Sequence, residues 1–175
     1  GGACNWIPGH RLDPEMLRQD LEFAAALGDI SFRTGMAAND PRALRKKGYE
    51  AVVVAAGLQE PLRLGLRNEE LAVAGLDYLR RPAQHRFAGR VAVVGGGATA
   101  ADCAVTARRL GAAAVEMIAL EKIGEMPLTP REMAELLEHG VEISGRTRVT
   151  AIYRRGGKIA GLATARVDLP AGAAF

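Results

Sequence analysis

At 175 residues, 49% hydrophobic and 25% charged, the chain suits one ordinary globular domain, or a small domain with part of another. Its formal net charge of +3 and scattered basic and aromatic residues exclude a nucleic-acid surface, which needs a basic groove interleaved with rings. No apolar run approaches the ~20 residues of a membrane helix, and the start lacks the basic and apolar regions of a signal peptide, so we expect a cytoplasmic protein with no membrane or nucleic-acid partner.

The chain opens on "GGACNW" without a methionine and closes on "LPAGAAF" just after a strand-like run; we expect it to be an excerpt of a longer protein. Asp13-Pro14-Glu15 predicts a helix start, with an Asp N-cap, a Pro at the first position and an early acid facing the dipole. Leu17, Leu21, Ala24 and Ala25 recur on one face, and Gly28 closes the helix. "DISFRTG" predicts a short strand, and Asn39-Asp40-Pro41 opens a second, short helix ending near Gly48. "RALRKKG", the densest basic cluster, reads as its solvated face. "YEAVVVAAG" follows as a buried strand, too uniformly apolar to be half exposed. Residues 61–89 are less regular and read as a connection, with one helix around 75–80.

From Arg90 the pattern tightens. It predicts a strand over 91–94, a glycine turn, a helix over 98–110 and a strand over 115–120. A loop with Pro127, a helix over 130–138 and a strand over 141–143 follow. "RVTAIYR" and "KIAGLATARV" flank Arg155-Gly156-Gly157, a hairpin signal. Alternating strands and helices with short links argue for an α/β fold with a parallel sheet, flanking helices and a small antiparallel β piece.

The glycine turn lies in "RVAVVGGGATAADCA". It fits G-x-G-x-x-A as Gly95, Gly97 and Ala100, directly after one strand and opening a helix, the context of a Rossmann-like dinucleotide site. Gly95 permits the tight turn, Gly97 lets backbone approach a pyrophosphate, and Ala100 is small enough for the helix to lie against the strand. The first free N–H groups of the helix then face the phosphates. The candidate cofactor-binding residues are therefore Gly95, Gly96, Gly97, Ala98, Thr99 and Ala100. They are joined by Glu121 at the end of the next strand, 24 residues beyond Gly97, and by its neighbour Lys122. Glu121 suits the adenosine ribose hydroxyls and repels a 2′-phosphate, so NAD(H) is favoured over NADP(H); Lys122 offsets that repulsion in part. The alternatives are a glycine turn that binds nothing and a solvated charge pair at a strand end.

Catalytic and metal signals are sparse. Cys4 and Cys103 form no C-x-x-C, and His10, His85 and His139 show no metal-ligand spacing, which speaks against a disulfide framework, a zinc site or an iron–sulfur ligand set within these residues.

With these motifs in hand the chain resembles the glutamate synthase small-subunit family of flavin-dependent, pyridine-nucleotide-linked oxidoreductases. The marks are "GG…IPGHRLDPEML", "GYEAVVVAAG", "VAVVGGGATAADCA", "RRLGA" and "EMPLTPREMAELLEHGVEI", in this order along the chain. The resemblance implies two interleaved dinucleotide folds: residues 1–60 as part of an FAD domain, 61–89 as a connection and 90–175 as an NAD(P)-binding domain, expected to be truncated at its C-terminal end. It implies that Ala56 and Gly57 end an FAD-domain strand and are candidate cofactor contacts, with plain core packing as the alternative. The family's form of that strand ends Ala-Thr-Gly, where this chain has Ala55-Ala56-Gly57.

Three further departures matter. The family's glycine-rich FAD motif would lie upstream of Gly1, so FAD is expected in the full-length parent without its N-terminal anchor here. The family's asparagine in the glycine turn is Ala98. Two arginines commonly precede its Glu-Met-Pro motif and suit a 2′-phosphate; this chain has Leu120 and Glu121, which again favours NAD(H).

The expected function is the nicotinamide-dinucleotide-binding part of an electron-transfer subunit, passing hydride between NAD(P)H and FAD in the parent. An iron–sulfur redox partner subunit or domain accepts the electrons, and the isolated chain is expected to be inactive. Hydride transfer to flavin requires no acid–base side chain, so no catalytic residue is assigned. His10 and Arg11 read as surface or packing residues, and Glu125 and Met126 as shaping the loop beside the cofactor. One rival is a non-catalytic nucleotide-binding or interaction module. The other is a self-contained alcohol dehydrogenase with Tyr-x-x-x-Lys, but Tyr49, Tyr78 and Tyr153 lack a lysine at that spacing.

Overall fold

In the computed structural model, which describes residues 2–57 and 60–168, the chain divides into two units: residues 2–4 with 9–57, and residues 5–8 with 60–168.

The first unit holds two helices, α1 (Pro14–Ala26) and α2 (Pro41–Arg45). Both begin as their caps predict. The Asp13 carboxylate accepts the Glu15 N–H at 2.8 Å, and the Asp40 carboxylate accepts the Arg42 N–H at 2.9 Å. Each satisfies a donor that the first helical turn leaves without a partner. No residue of either helix is buried.

The strands predicted in "DISFRTG" and "YEAVVVAAG" do not form. Both segments run without a ladder partner among the described residues, and Val53 and Val54 are 88% and 68% exposed. Apolar, β-branched composition favours a pleated surface only where a neighbouring strand supplies hydrogen bonds and side-chain pairs. Here the composition is present and the neighbour is not.

In the second unit, α3 (Gly75–Arg80) precedes a run of alternating elements: β1 (Arg90–Val94), α4 (Ala98–Arg109), β2 (Ala114–Ile118), α5 (Pro130–Glu138) and β3 (Glu142–Ser144). A hairpin of β4 (Thr147–Arg155) and β5 (Lys158–Arg166) follows. The first three strands form a parallel sheet in the order β1-β2-β3, and β4 and β5 pair antiparallel. The predicted α/β architecture is thus the observed one.

Register decides which strand residues meet the core. Val91 stands beside Val115, Val93 beside Met117, and Met117 beside Ile143. These side chains share the face that packs on Ala101, Ala104, Val105 and Leu136. Every residue of 101–107 is buried, because α4 is packed by β1, β2, α3 and α5. An alanine-rich sequence meets that demand: a helix enclosed on several sides needs small side chains all round. On the opposite side of the sheet, Ile118 joins Val149 and Ile152 of the hairpin. The hairpin turns on Gly156 and Gly157, with φ of 56° and 75°, the positive values of a two-residue turn matched to strand twist.

Two polar devices fix α4 and α5. The Arg108 guanidinium donates to the carbonyls of Ala112 at 2.6 Å, Ala113 at 2.7 Å and His139 at 2.9 Å, tying the end of α4 to the approaches of β2 and β3. At the start of α5, the Thr129 hydroxyl accepts the Glu132 N–H at 3.3 Å while the Glu132 carboxylate accepts the Thr129 N–H at 2.7 Å, a reciprocal capping box.

Candidate functional site

The chain leaves β1 at Val94 and enters α4 at Ala98, so the turn has only Gly95, Gly96 and Gly97 in which to reverse into the helix. The Gly95 N–H donates to the Ile118 carbonyl at 2.9 Å, carrying the sheet pairing one residue past the strand. Gly95 has φ 138°, a value side chains rarely permit. A Cβ there would stand 3.4 Å from the Ala100 methyl. The Ala100 methyl thus lies close against the turn at Gly95.

Gly97 is the N-cap of α4 in extended backbone, and no side chain caps the helix. A Cβ at Gly97 would meet nothing within 4 Å. The first turn, with Ala98 and Thr99, thus has no side-chain cap among the described residues, and the positive end of the helix dipole lies beside the clearance at Gly97. This is the donor set and the clearance a diphosphate requires.

Glu121 comes to the same turn. A Cβ at buried Gly96 would lie 2.6 Å from Glu121 Oε2 and 3.2 Å from the Ala119 methyl. The carboxylate is therefore held against bare backbone beside the open helix end, a placement suited to accepting hydrogen bonds from a diol. Lys122 turns elsewhere: its ammonium stands 3.8 Å from Glu125 Oε1. Seven of the eight candidate residues of this unit lie together at the turn, and Lys122 borders it through the chain after Glu121.

Gly145 and Arg146, just after β3, join the site without belonging to any motif in the sequence. A Cβ at Gly145 would stand 2.8 Å from the Glu121 carbonyl oxygen. The Arg146 N–H donates to that oxygen at 3.1 Å, and its guanidinium lies 2.9 Å from Glu125. The nearest signal was a glycine two residues beyond the strand predicted over 141–143, a mark of close backbone approach.

Ala56 and Gly57 belong to the first unit. Their segment forms no strand, and both residues are exposed. Cys103 is buried on α4 with its sulfur 3.6 Å from the Gly75 carbonyl. Burial, with Asp102 adding to it, pushes its thiol up to about 12, which keeps it protonated and inert. Among the described residues, no three His, Cys, Asp or Glu side chains gather to hold a metal ion, and no helix is long and apolar enough to cross a membrane.

Residues 28–171 match the family model described as pyridine nucleotide-disulphide oxidoreductase. The chain belongs to that family. Within it, the chain is 32% identical over 172 residues to the NADP(+)-dependent formate dehydrogenase subunit beta of Moorella thermoacetica, covering 93% of this chain and 24% of the relative. It is 33% identical over 156 residues to the glutamate synthase [NADPH] small chain of Azospirillum brasilense, covering 78% of this chain and 32% of the relative. The resemblance read from the motifs is therefore sound, and the chain spans a quarter to a third of these relatives' lengths. Thioredoxin reductase of Lactococcus lactis shares the fold, with a TM-score of 0.52, 14% identity, and coverage of 62% of this chain and 36% of that chain.

Proposed function

We propose that the second unit binds a nicotinamide dinucleotide at the turn between β1 and α4, as the nucleotide-binding part of a flavin-dependent electron-transfer subunit. In the full-length parent this part serves hydride exchange between NAD(P)H and FAD. The observation that carries the reading is a helix N-terminus left uncapped and unobstructed at Gly97, with the Glu121 carboxylate set against Gly96 beside it.

Each residue has a task in that reading. The amides of Gly97, Ala98 and Thr99 hold the diphosphate, Gly95 and Ala100 let α4 start close to the sheet, and Glu121 accepts from the adenosine ribose. A 2′-phosphate would bring like charge to Glu121, so NAD(H) is favoured over NADP(H). The names of the two relatives carry NADP, and both arginines of the resemblance motif are replaced here by Leu120 and Glu121; the preference is assigned on the residues. The bound nicotinamide supplies the hydride, and the chain's contribution is to place it and exclude water.

Residues 1–60 are assigned to the FAD-domain side, 61–89 to a connection and 90–175 to the nicotinamide side. Two cysteines are too few for the thiolates of an iron–sulfur cluster, so clusters are assigned to a partner subunit or domain. The exposure of residues 53–57 favours a second reading for the isolated chain: a nucleotide-binding module without redox activity of its own, colourless but able to bind NADH.

Gly97→Asp tests the first reading with effects of opposite sign. Aspartate is a preferred N-cap at this extended position, so it stabilises α4 by a few tenths of a kcal/mol, about the Asp-over-Gly difference. Its carboxylate also occupies the diphosphate's approach and weakens NADH binding by about 100-fold. Unchanged NADH affinity on titration would remove the turn from the site.

A further inference from the structure

Glu121 reads a ribose only if its carboxylate is held in place, and the chain that follows it has little to hold it. Residues 122–125 are exposed, and the next buried side chain is Met126. What fixes this loop is a corner on the far side, after β3.

The corner grips the loop by backbone and by charge. The Arg146 N–H donates to the Glu121 carbonyl at 3.1 Å, and the Thr147 N–H to the Ala119 carbonyl at 2.9 Å. Gly145 packs so closely that a Cβ would stand 2.8 Å from the Glu121 carbonyl oxygen and 3.4 Å from Lys122 Cα. The Arg146 guanidinium, only 19% exposed, lies 2.9 Å and 3.1 Å from the two oxygens of Glu125. Glu125 in turn accepts the Lys122 N–H at 3.1 Å and faces the Lys122 ammonium at 3.8 Å. Arg146 has φ 50°, a left-handed conformation that is strained for a residue with a side chain. Such strain persists where the surroundings over-determine the backbone, and here the surroundings are the loop that carries Glu121.

We propose that Gly145, Arg146 and Glu125 are positioning residues for nucleotide selection: they fix Glu121 at the glycine turn and so set the preference for NADH over NADPH. Glu125 acts in a second way. It engages both nearby cations, Arg146 and Lys122, which are thereby kept from welcoming a 2′-phosphate. The inference rests on the reading of Glu121 given above.

Three variants of the full chain test it, each titrated with NADH and with NADPH and each melted to confirm folding. Gly145→Ala changes no charge but pushes the Glu121 carbonyl aside. It lowers the NADPH-to-NADH ratio of Kd values by about tenfold, the weight of roughly one charge-assisted hydrogen bond. Glu125→Gln keeps the side chain's shape, loosens the corner and frees two cations, so it shifts the ratio in the same direction. Glu121→Gln is the control and lowers the ratio whether or not the corner matters. If Glu121→Gln lowers it while folded Gly145→Ala and Glu125→Gln leave it within about twofold of the parent, the corner is overturned and the reading of Glu121 stands. If Glu121→Gln changes nothing, that reading fails and the corner falls with it. Should Gly145→Ala not fold, Glu125→Gln alone decides.

Discussion

A side chain at Gly96 would stand 2.6 Å from the Glu121 carboxylate, so two residues far apart in sequence exclude any other occupant of the space between them. The placing of Gly95, Gly97 and Ala100 at one turn was legible because it depends on spacing within one strand–turn–helix unit. The grip of Gly145 and Arg146 on the loop was not legible. It arises where β3 ends beside β2, and no local pattern marks a positive φ at an arginine. Cys103 carries a prediction at this scale. With its thiol raised to about 12 by burial, its reactive thiolate is scarce at pH 8, and raising the pH to 9 leaves it scarce. Iodoacetamide on the folded protein is expected to spare Cys103 at both values, as read by mass spectrometry of the digest. Rapid labelling of Cys103 before unfolding would show that α3 does not cover it.

Among the elements, helix ends were the most legible, since caps are written in sequence. Asp13, Asp40 and Thr129 each accept an N–H in the first turn of the helix they open, and α5 runs over the predicted residues. The strands predicted before residue 60 failed for a physical reason: a valine run specifies a strand only through neighbours, and no strand pairs with it among the described residues. The same dependence worked in favour of β1, β2 and β3, whose connecting helices bring them side by side. Arg108 is the element-scale test. It donates to three carbonyls where α4 meets the approaches to β2 and β3, one of the bonds exposed, and a hydrogen bond to a charged group contributes a net of about 1.5–3 kcal/mol. Arg108→Ala is expected to lower unfolding stability by about 2–3 kcal/mol in urea titration. A loss below about 0.5 kcal/mol, the range of ordinary surface changes, would show that solvent serves these carbonyls equally well.

For the molecule as a whole, family membership and the α/β architecture rest on the matched residues 28–171 and the parallel sheet. The nucleotide and its binding mode rest on one turn. In a chain of 18.5 kDa that turn is open to direct observation by NMR, because each amide reports its own surroundings. NAD+ added to the 15N-labelled protein is expected to move the backbone amide signals of Gly97, Ala98 and Thr99 most, with Gly96 and Glu121 following, and to leave the hairpin amides at Gly156 and Gly157 in place. If NAD+ saturates the protein while the signals of Gly97, Ala98 and Thr99 stay where they were, the dinucleotide is held elsewhere and the account is contradicted.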